Sequence, residues 1–168
     1  MTTRILGLQS VVIALVAGAV FCLAVAPTMA GNASANGAMA VATGPIDSDV
    51  EGFFTLDFRT GELQCFVFNT RTQQIGGRFR ASVSTDLRLD VNTKPSYLLV
   101  TGYASFVRGA GVVRPANSIV YVTDTNSGNF AAYSVPWNSN LAKAAKPQVG
   151  NLVLLQVGSA RPAAVPAP

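Results

Sequence analysis

The chain has no histidine, and this absence excludes more chemistry than any other feature of its 168 residues. Without an imidazole there is no Ser-His-Asp or Cys-His nucleophile, and the commonest metal ligand is missing. Charge is also sparse, at 12% of residues with a formal net charge of +4. So small and scattered a charge does not indicate a nucleic-acid partner. We therefore predict a non-enzymatic chain without metal or cofactor that binds no nucleic acid.

Cysteine is nearly absent too, with Cys22 and Cys65 as the whole complement. Cys22 follows Phe21, where a lipoprotein acceptor would need a small residue, so it is interpreted as an ordinary apolar position. Cys65 is the only cysteine outside the N-terminal apolar run. A buried, inert thiol is favoured there over a disulfide between chains.

The first thirty residues are predicted to be an export segment. Ile5–Ala26 is apolar apart from Gln9 and Ser10, and Arg4 precedes it. About 20 apolar residues can span a bilayer, whereas a signal-peptide core has about 7–15. Length therefore favours a retained membrane anchor, while the small residues before Gly31 leave cleavage near Ala30 open. In either case the remainder is exported, as an anchored domain facing outside the cytoplasm or as a periplasmic or secreted one.

Composition divides the chain into four parts. Residues 1–30 are the signal peptide or anchor, and residues 31–46, which are small and of low complexity, are predicted to be a flexible linker. Residues 47–161 form the predicted β domain. Residues 162–168 are a Pro/Ala tail and are predicted to be disordered.

Two segments of the β domain resemble each other, Phe54–Asn69 and Tyr121–Pro136. Each has a strand, an aspartate, a hydroxyl residue followed by glycine, and a second strand, which is typical of a tight β-hairpin. An aspartate carboxylate can accept hydrogen bonds from loop amides, and glycine allows a positive φ. The predicted structural turn residues are Asp57, Gly61, Asp124 and Gly128.

Apolar runs follow both hairpins, at Tyr97–Gly102 and Leu152–Gly158, so the domain is predicted to contain two related hairpin units. Arg78–Leu89 begins with the period-two alternation of a half-buried strand. Ser139–Lys146 is predicted to be a short helix that Pro147 ends. The fold prediction is all-β: a small antiparallel sandwich or barrel of seven or eight strands, preceded by an N-terminal hydrophobic helix.

The Asp-x-x-Thr-Gly hairpin at Asp57–Gly61 resembles the connection inside β-propeller blades, and the hairpin at Tyr121–Gly128 resembles it more loosely. A complete propeller needs four or more blades, and this chain has room for at most two. Gly128–Trp137 resembles the end region of uncharacterised exported bacterial proteins. Neither resemblance implies an activity.

The candidate surface for a ligand or partner centres on the loop Phe106–Pro115, which contains two glycines and is a long connection between strands. Its residues are Tyr103, Phe106, Arg108, Arg114 and Trp137. Five aromatic rings could form a sugar-stacking platform, but core packing is the favoured interpretation of the same rings, as aromatic residues in so small a domain usually belong to the core. The rings concerned are Tyr103, Phe106, Tyr121, Tyr133 and Trp137.

The carboxylates show no catalytic or metal-binding pattern. Asp47, Asp49 and Glu51 alternate, but no glycine-turned loop with a distal glutamate follows, as an EF-hand requires. They are interpreted as a charged start to the first strand. Asp57 and Asp124 recur at matching positions, and their role in the turns explains them without a catalytic pair.

One strand raises the question of association. Leu152–Val157 (LVLLQV) is apolar and uncharged, and an open sheet edge of this composition invites pairing with another chain. The strand is therefore predicted to be either central or covered by a partner.

The favoured function is a non-catalytic, envelope-associated structural or protein-binding module. Its predicted partners are the membrane, through Ile5–Ala26 if this segment is uncleaved, and either a second copy of the chain or an envelope protein. The alternatives are an exported carbohydrate- or ligand-binding domain and a carboxylate-dependent hydrolase.

Overall fold

The computed structural model describes residues 33–90, 93–106 and 113–161. The predicted export segment, the candidate surface residue Arg108 and the Pro/Ala tail lie outside these ranges. Within them, no helix combines the length and the apolar character needed to cross a membrane.

Ten strands and two short helices make up the described part of the chain. In chain order the strands are β1 (Ala33–Ala35), β2 (Met39–Asp47), β3 (Val50–Asp57), β4 (Glu62–Asn69), β5 (Gln74–Ser82), β6 (Tyr97–Tyr103), β7 (Arg114–Asp124), β8 (Asn129–Trp137), β9 (Gln148–Asn151) and β10 (Val153–Ser159). The helices are α1 (Val83–Asp86) and α2 (Ser139–Lys143). The prediction of an all-β domain is confirmed, whereas the predicted count of seven or eight strands is too low.

The strands form two sheets around one core. Sheet A has six strands in the order β1-β2-β3-β4-β5-β9, and sheet B has four in the order β10-β8-β7-β6. All neighbouring strands are antiparallel except β5 and β9, which run parallel. Alternate residues of both sheets point into the same hydrophobic core, among them Phe54, Leu56 and Val67 from sheet A and Val122 and Tyr133 from sheet B.

The predicted linker contains structure. Residues 33–46 form β1 and most of β2 in sheet A. Ala40 and Ala42 of β2 are buried, and a Cβ placed on Gly44 would lie 3.2 Å from the Cβ of Thr101. The small residues that indicated a linker are therefore small because β2 packs closely against sheet B.

The hairpin turns share one hydrogen-bond pattern. Asp57 accepts hydrogen bonds from the backbone N–H groups two and three residues later, at 2.8 and 3.0 Å, and Asp124 does the same at 3.4 and 2.9 Å. Gly61 and Gly128 close these turns with φ angles of 67° and 78°. Asn69 forms a third turn of this kind, which the sequence analysis missed, with distances of 2.9 and 3.2 Å.

The two predicted hairpin units share this turn but not their orientation. Asp57 is half-buried on the solvent face of sheet A, whereas Asp124 is buried on the core face of sheet B. When the two hairpin sequences are aligned at their turns, Cys65 corresponds to Ala132. Cys65 faces the core, whereas Ala132 points away from it, because side chains alternate along a strand. The two apolar runs form β6 and β10. Both strands flank the second hairpin in sheet B, so the runs do not belong one to each hairpin as predicted.

The predicted helix at Ser139–Lys146 is α2, which ends three residues earlier at Lys143. Asn138 caps its start by accepting hydrogen bonds from the N–H groups of Asn140 and Leu141. Ala145 has a positive φ of 54°, which ends the helical conformation before Pro147 is reached.

The two sheets approach each other closely along one side. The edge strand β6 of sheet B lies beside β2 of sheet A, and the Thr101 hydroxyl donates a hydrogen bond to the Thr43 carbonyl. The opposite side is bordered by β5 and β9 of sheet A and by β10 of sheet B. There the chain passes from β9 to β10 at Leu152, whose N–H donates to the Arg80 carbonyl at 2.8 Å. We call this second side the open side of the domain.

Candidate functional site

Four edge strands bound the two sheets, and β10 differs from the other three. β1 and β9 have only three and four residues, and short edge strands offer few backbone groups for pairing. β6 is longer but lies beside β2. β10 has seven residues, and within the described ranges only β8 runs against it. The other backbone edge of β10 can therefore accept a further strand.

The side chains of β10 are exposed on both faces of sheet B. Val153 points outward, opposite Ser134, whereas Leu154 points toward the core side, opposite Tyr133. The large apolar side chains of the strand are nevertheless each 41–47% exposed: Val153, Leu154, Leu155 and Val157. Sheet A therefore leaves the core side of β10 uncovered. β10 carries no charged residue and no proline, the two residue types that commonly protect an edge.

An open cleft of about 490 Å³ lies where β10 begins. Its walls come from the open side of the domain and combine polar side chains with two leucines. The lining residues are Thr60, Glu62, Arg80, Ala81, Ser82, Asp86, Asn151, Leu152 and Leu154. Because Leu154 belongs to both features, a strand paired with β10 would border this cleft.

The two carboxylates of this cleft already have hydrogen-bond partners. Gln64 Nε2 donates to Glu62 Oε1 at 3.0 Å, and the Tyr133 hydroxyl donates to Asp86 Oδ2 at 2.9 Å. Burial, together with the hydrogen bond to Asp86, raises the pKa of Tyr133. The phenol therefore stays protonated at neutral pH and remains a donor, and both carboxylates have structural roles.

The outer face of sheet B is mostly apolar. Across the sheet, Val100 lies opposite Tyr121, which lies opposite Ala132, and Leu98 lies opposite Thr123, which lies opposite Phe130. The large apolar side chains on this face are Leu98, Val100, Ile119, Tyr121, Phe130 and Val153, of which Leu98, Val100 and Val153 are about half exposed. Contiguous exposed apolar side chains of this kind are a feature of interaction sites.

Sheet A presents aromatic rings on its outer face. Phe53 and Phe66 are cross-strand partners, and the guanidinium carbon of Arg78 lies 5.4 Å from the centroid of the Phe66 ring. The sequence analysis missed this pair because it considered only rings in the second half of the chain. Alternation would have revealed it, since the neighbours Phe54 and Val67 are the residues that face the core.

The candidate surface residues from the sequence do not come together as one surface. Tyr103 is 64% exposed at the end of β6, Phe106 is half-buried, and Arg114 is exposed at the start of β7. Arg108 lies outside the described residues. Trp137 is a core residue rather than a surface one, because its ring packs edge to face against Phe79 with centroids 6.5 Å apart.

The alternative platform of aromatic rings is also divided between core and surface. Tyr133 and Trp137 are buried, and Tyr121 is half-buried on the outer face of sheet B. Among the described residues, Tyr103 is therefore the only ring of the predicted platform that is mostly exposed.

The aspartates of the two hairpin turns, Asp57 and Asp124, accept hydrogen bonds that shift their pKa values. Backbone hydrogen bonds from Thr60 and Arg59 lower the pKa of Asp57. Burial raises the pKa of Asp124, but the hydrogen bonds from Ser127 and its neighbours outweigh burial and hold it below the usual value.

The acidic residues that precede and begin β3 lie close to cationic side chains. Asp47 and Asp49 line a second cleft, of about 380 Å³, together with Arg71 and Lys143. No group of three or more potential metal ligands occurs in the described part of the chain. Cationic side chains in the same cleft also oppose a divalent ion there.

Cys65 lies in the core of sheet A between Phe54 and Phe79 on the neighbouring strands. It is a free, buried cysteine, and burial raises the pKa of its thiol. A thiol that is neither accessible nor ionised reacts slowly with electrophiles.

No protein-family model, curated protein or solved structure matches the chain. The surfaces that bear on function are β10 with its cleft and the outer faces of the two sheets.

Proposed function

We propose that the chain is a non-catalytic, envelope-associated protein-binding module whose binding element is β10. The observation that carries this proposal is the exposure of β10 along its free edge and on both of its faces. A strand of a partner that adds to this edge would satisfy backbone N–H and C=O groups, and its side chains would cover the exposed leucines and valines.

The surroundings of β10 supply the specificity that backbone pairing lacks. Next to Leu154, the cleft that Glu62, Arg80 and Asn151 help to line offers polar groups for contacts. On the outer side, Val153 continues the apolar face formed by Phe130 and its neighbours. Hydrogen bonds to the backbone give affinity in this mode of recognition, and alternate side-chain pockets select the partner.

The place of action follows from the N-terminal segment. Ile5–Ala26 would anchor the module in the membrane, or cleavage near Ala30 would release it outside the cytoplasm. An anchored or periplasmic module would meet the proteins of the cell envelope, whereas a secreted one would act beyond it. An anchor would also restrict the module to two dimensions and raise its effective concentration for partners in the same membrane.

Photo-crosslinking of the full chain in its own membrane fraction tests the proposal. A photoreactive residue at Leu155 should yield a discrete protein adduct, because that side chain is exposed beside the free edge. The same residue at Val149, which is 82% exposed on β9, is the matched control and should yield none. Equal adduct formation at both positions, or none at either, would refute a binding role for β10.

A second candidate function is carbohydrate binding on the outer face of sheet A. Phe53 and Phe66 lie side by side, and Gln64, Arg78 and Arg80 face the same way on β4 and β5. Aromatic rings beside planar polar side chains suit the apolar faces and hydroxyl groups of sugars.

For this second function, Phe66→Ala should lower the affinity of the full chain for a binding polysaccharide by about tenfold or more, the loss expected for a stacked ring. Affinity electrophoresis in gels that contain candidate polysaccharides measures the effect. Phe130→Ala on the opposite sheet is the control and should migrate like the parent. If the parent is retarded by none of the polysaccharides, this function is wrong.

A further inference from the structure

We infer that the partner of β10 is β10 of a second copy of this chain, so that the module forms a two-fold symmetric homodimer. This inference rests on the proposed function, because it names the partner of the same strand. Two copies paired in this way would join their four-stranded sheets into one continuous sheet of eight strands.

The composition of β10 favours self-pairing. An antiparallel strand related to itself by a two-fold axis places each residue opposite another residue of the same segment. Like charges that face each other across a sheet oppose such pairing, and β10 has no charge at all. Every side chain that the second copy would bring against Leu154, Leu155 or Val157 is therefore uncharged and mostly apolar.

The rest of the fold leaves β10 as the available edge. β1 and β9 are short, and β6 lies beside β2, so none of them offers a long free edge. The irregular pairing with β8 between Leu154 and Gln156 displaces Leu155 from the regular register. Bulges often discourage pairing, but here the extra residue is a further exposed leucine, which a second copy would cover.

The size of the contact predicts a reversible dimer. Seven residues of strand are about 23 Å long. Covering the edge and the adjoining side chains would bury roughly 400 Å² per copy, about half of the ~800 Å² per partner in a standard interface. Such a contact depends on concentration, which retention in a membrane would raise.

Pairing would also place two clefts near the dimer axis. Leu154 lines the cleft that contains Glu62, Arg80 and Asp86, and it lies on the core side of β10. The core sides of both copies face the same way in a continuous sheet. The two polar clefts would therefore border one extended apolar contact, one on each side of the axis.

A cysteine scan of the full chain tests the symmetry directly. In a Cys22→Ser background, single cysteines replace Val153, Leu154, Leu155, Gln156 or Val157, and the purified protein in mild detergent is oxidised. Residue pairs across a two-fold axis have a constant sum of residue numbers, so disulfide-linked dimers should peak at one or two adjacent positions. The peak should exceed the yield of the control Val149→Cys by about tenfold, because only neighbouring Cα atoms meet disulfide geometry. Cys65 is buried and contributes no background.

Sedimentation equilibrium of the full chain in density-matched detergent provides the second measurement. Leu155→Lys should raise the dimer dissociation constant about tenfold or more by bringing one ammonium group from each copy into the paired apolar strands, while Val149→Lys should leave it unchanged. Unchanged far-UV circular dichroism shows that both variants fold.

A flat cysteine profile, or equal dissociation constants for the two lysine variants, overturns the homodimer and assigns any association to other segments. If the cysteine profile is flat but photo-crosslinking from Leu155 yields an adduct with a different protein, the homodimer is wrong and the proposed function stands. If neither experiment yields a product specific to β10, both are wrong.

Discussion

Gly128→Val is expected to destabilise the domain by about 2–4 kcal/mol, and Gly61→Val by a similar amount. Both glycines have positive φ angles, 78° at Gly128 and 67° at Gly61, which a β-branched residue adopts only with strain. Space is also lacking. A Cβ on Gly128 would lie 2.5 Å from Arg161 Cγ, and a Cβ on Gly61 would lie 2.8 Å from Ser84 Cβ. Denaturant unfolding of the full chain, followed by circular dichroism, measures the loss.

The substitution at Gly128 should also loosen the end of β10. Arg161 donates a hydrogen bond to the Thr125 carbonyl at 2.8 Å, and the N–H of Ala160 donates to the Gly128 carbonyl at 2.8 Å. The chain after β10 is therefore attached to the β7–β8 turn, and a side chain at Gly128 would displace Arg161 from it. Amide hydrogen exchange in β10 should accelerate in Gly128→Val but not in Gly61→Val.

Gly102→Ala is the matched control for both glycine variants. Gly102 lies in β6 with no positive φ, and a Cβ there would be 3.7 Å from its nearest neighbour on Tyr121, an ordinary contact. Its stability should stay within about 0.5 kcal/mol of the parent. Glycine variants that unfold together with this control would show that neither turn requires the left-handed conformation.

The turns could be predicted because their physics is local. An aspartate that accepts hydrogen bonds from amides two and three residues later, followed by glycine, specifies the turn within five residues, and Asp57 and Asp124 both do this. The packing around a turn, by contrast, depends on residues that are distant along the chain. The same turn chemistry occurs with Asp57 on a solvent face and Asp124 on a core face, so similarity of sequence did not imply similarity of packing.

Errors in the sequence analysis arose where packing decides the role of a residue. Ala40 and Ala42 indicated a linker by composition, yet they are small because β2 contacts sheet B. The sequence of Leu152–Val157 left a central strand and a covered edge as alternatives, and the order of strands in sheet B places β10 at the edge. Strand order depends on contacts distant along the chain, which periodicity does not encode.

The outer faces of both sheets illustrate a signal that was present but not used. Once a strand is known to alternate, the residues that do not face the core are known as well. In β3 and β4 this places Phe53 and Phe66 outside, and in β6 it places Leu98 and Val100 outside. A single apolar residue at an outward position is ordinary, but several such residues on one face form a patch that bears on binding.

Trp137→Ala is expected to cost about 3–5 kcal/mol of unfolding free energy, the range for removing a large buried aromatic side chain. The sequence analysis assigned Trp137 to a partner surface, but the side chain is 6% exposed. Its ring packs against Phe79, and a Cβ placed on Gly77 would lie 3.0 Å from its Cζ3. The cavity left by alanine would open between β5, β8 and the second cleft, where refilling by neighbouring strands is limited.

Tyr103→Ala is the control that separates the two interpretations of these aromatic residues. Tyr103 belonged to the same candidate surface and is 64% exposed, so its removal should change stability by about 0.5 kcal/mol or less. Denaturant unfolding of both variants at one pH gives the comparison. If both variants lost equally little unfolding free energy, Trp137 would be a surface residue, and the packing of β8 against β5 would be contradicted. A large loss at Trp137 alone would assign the ring at the end of β8 to the core and remove it from the candidate partner surface.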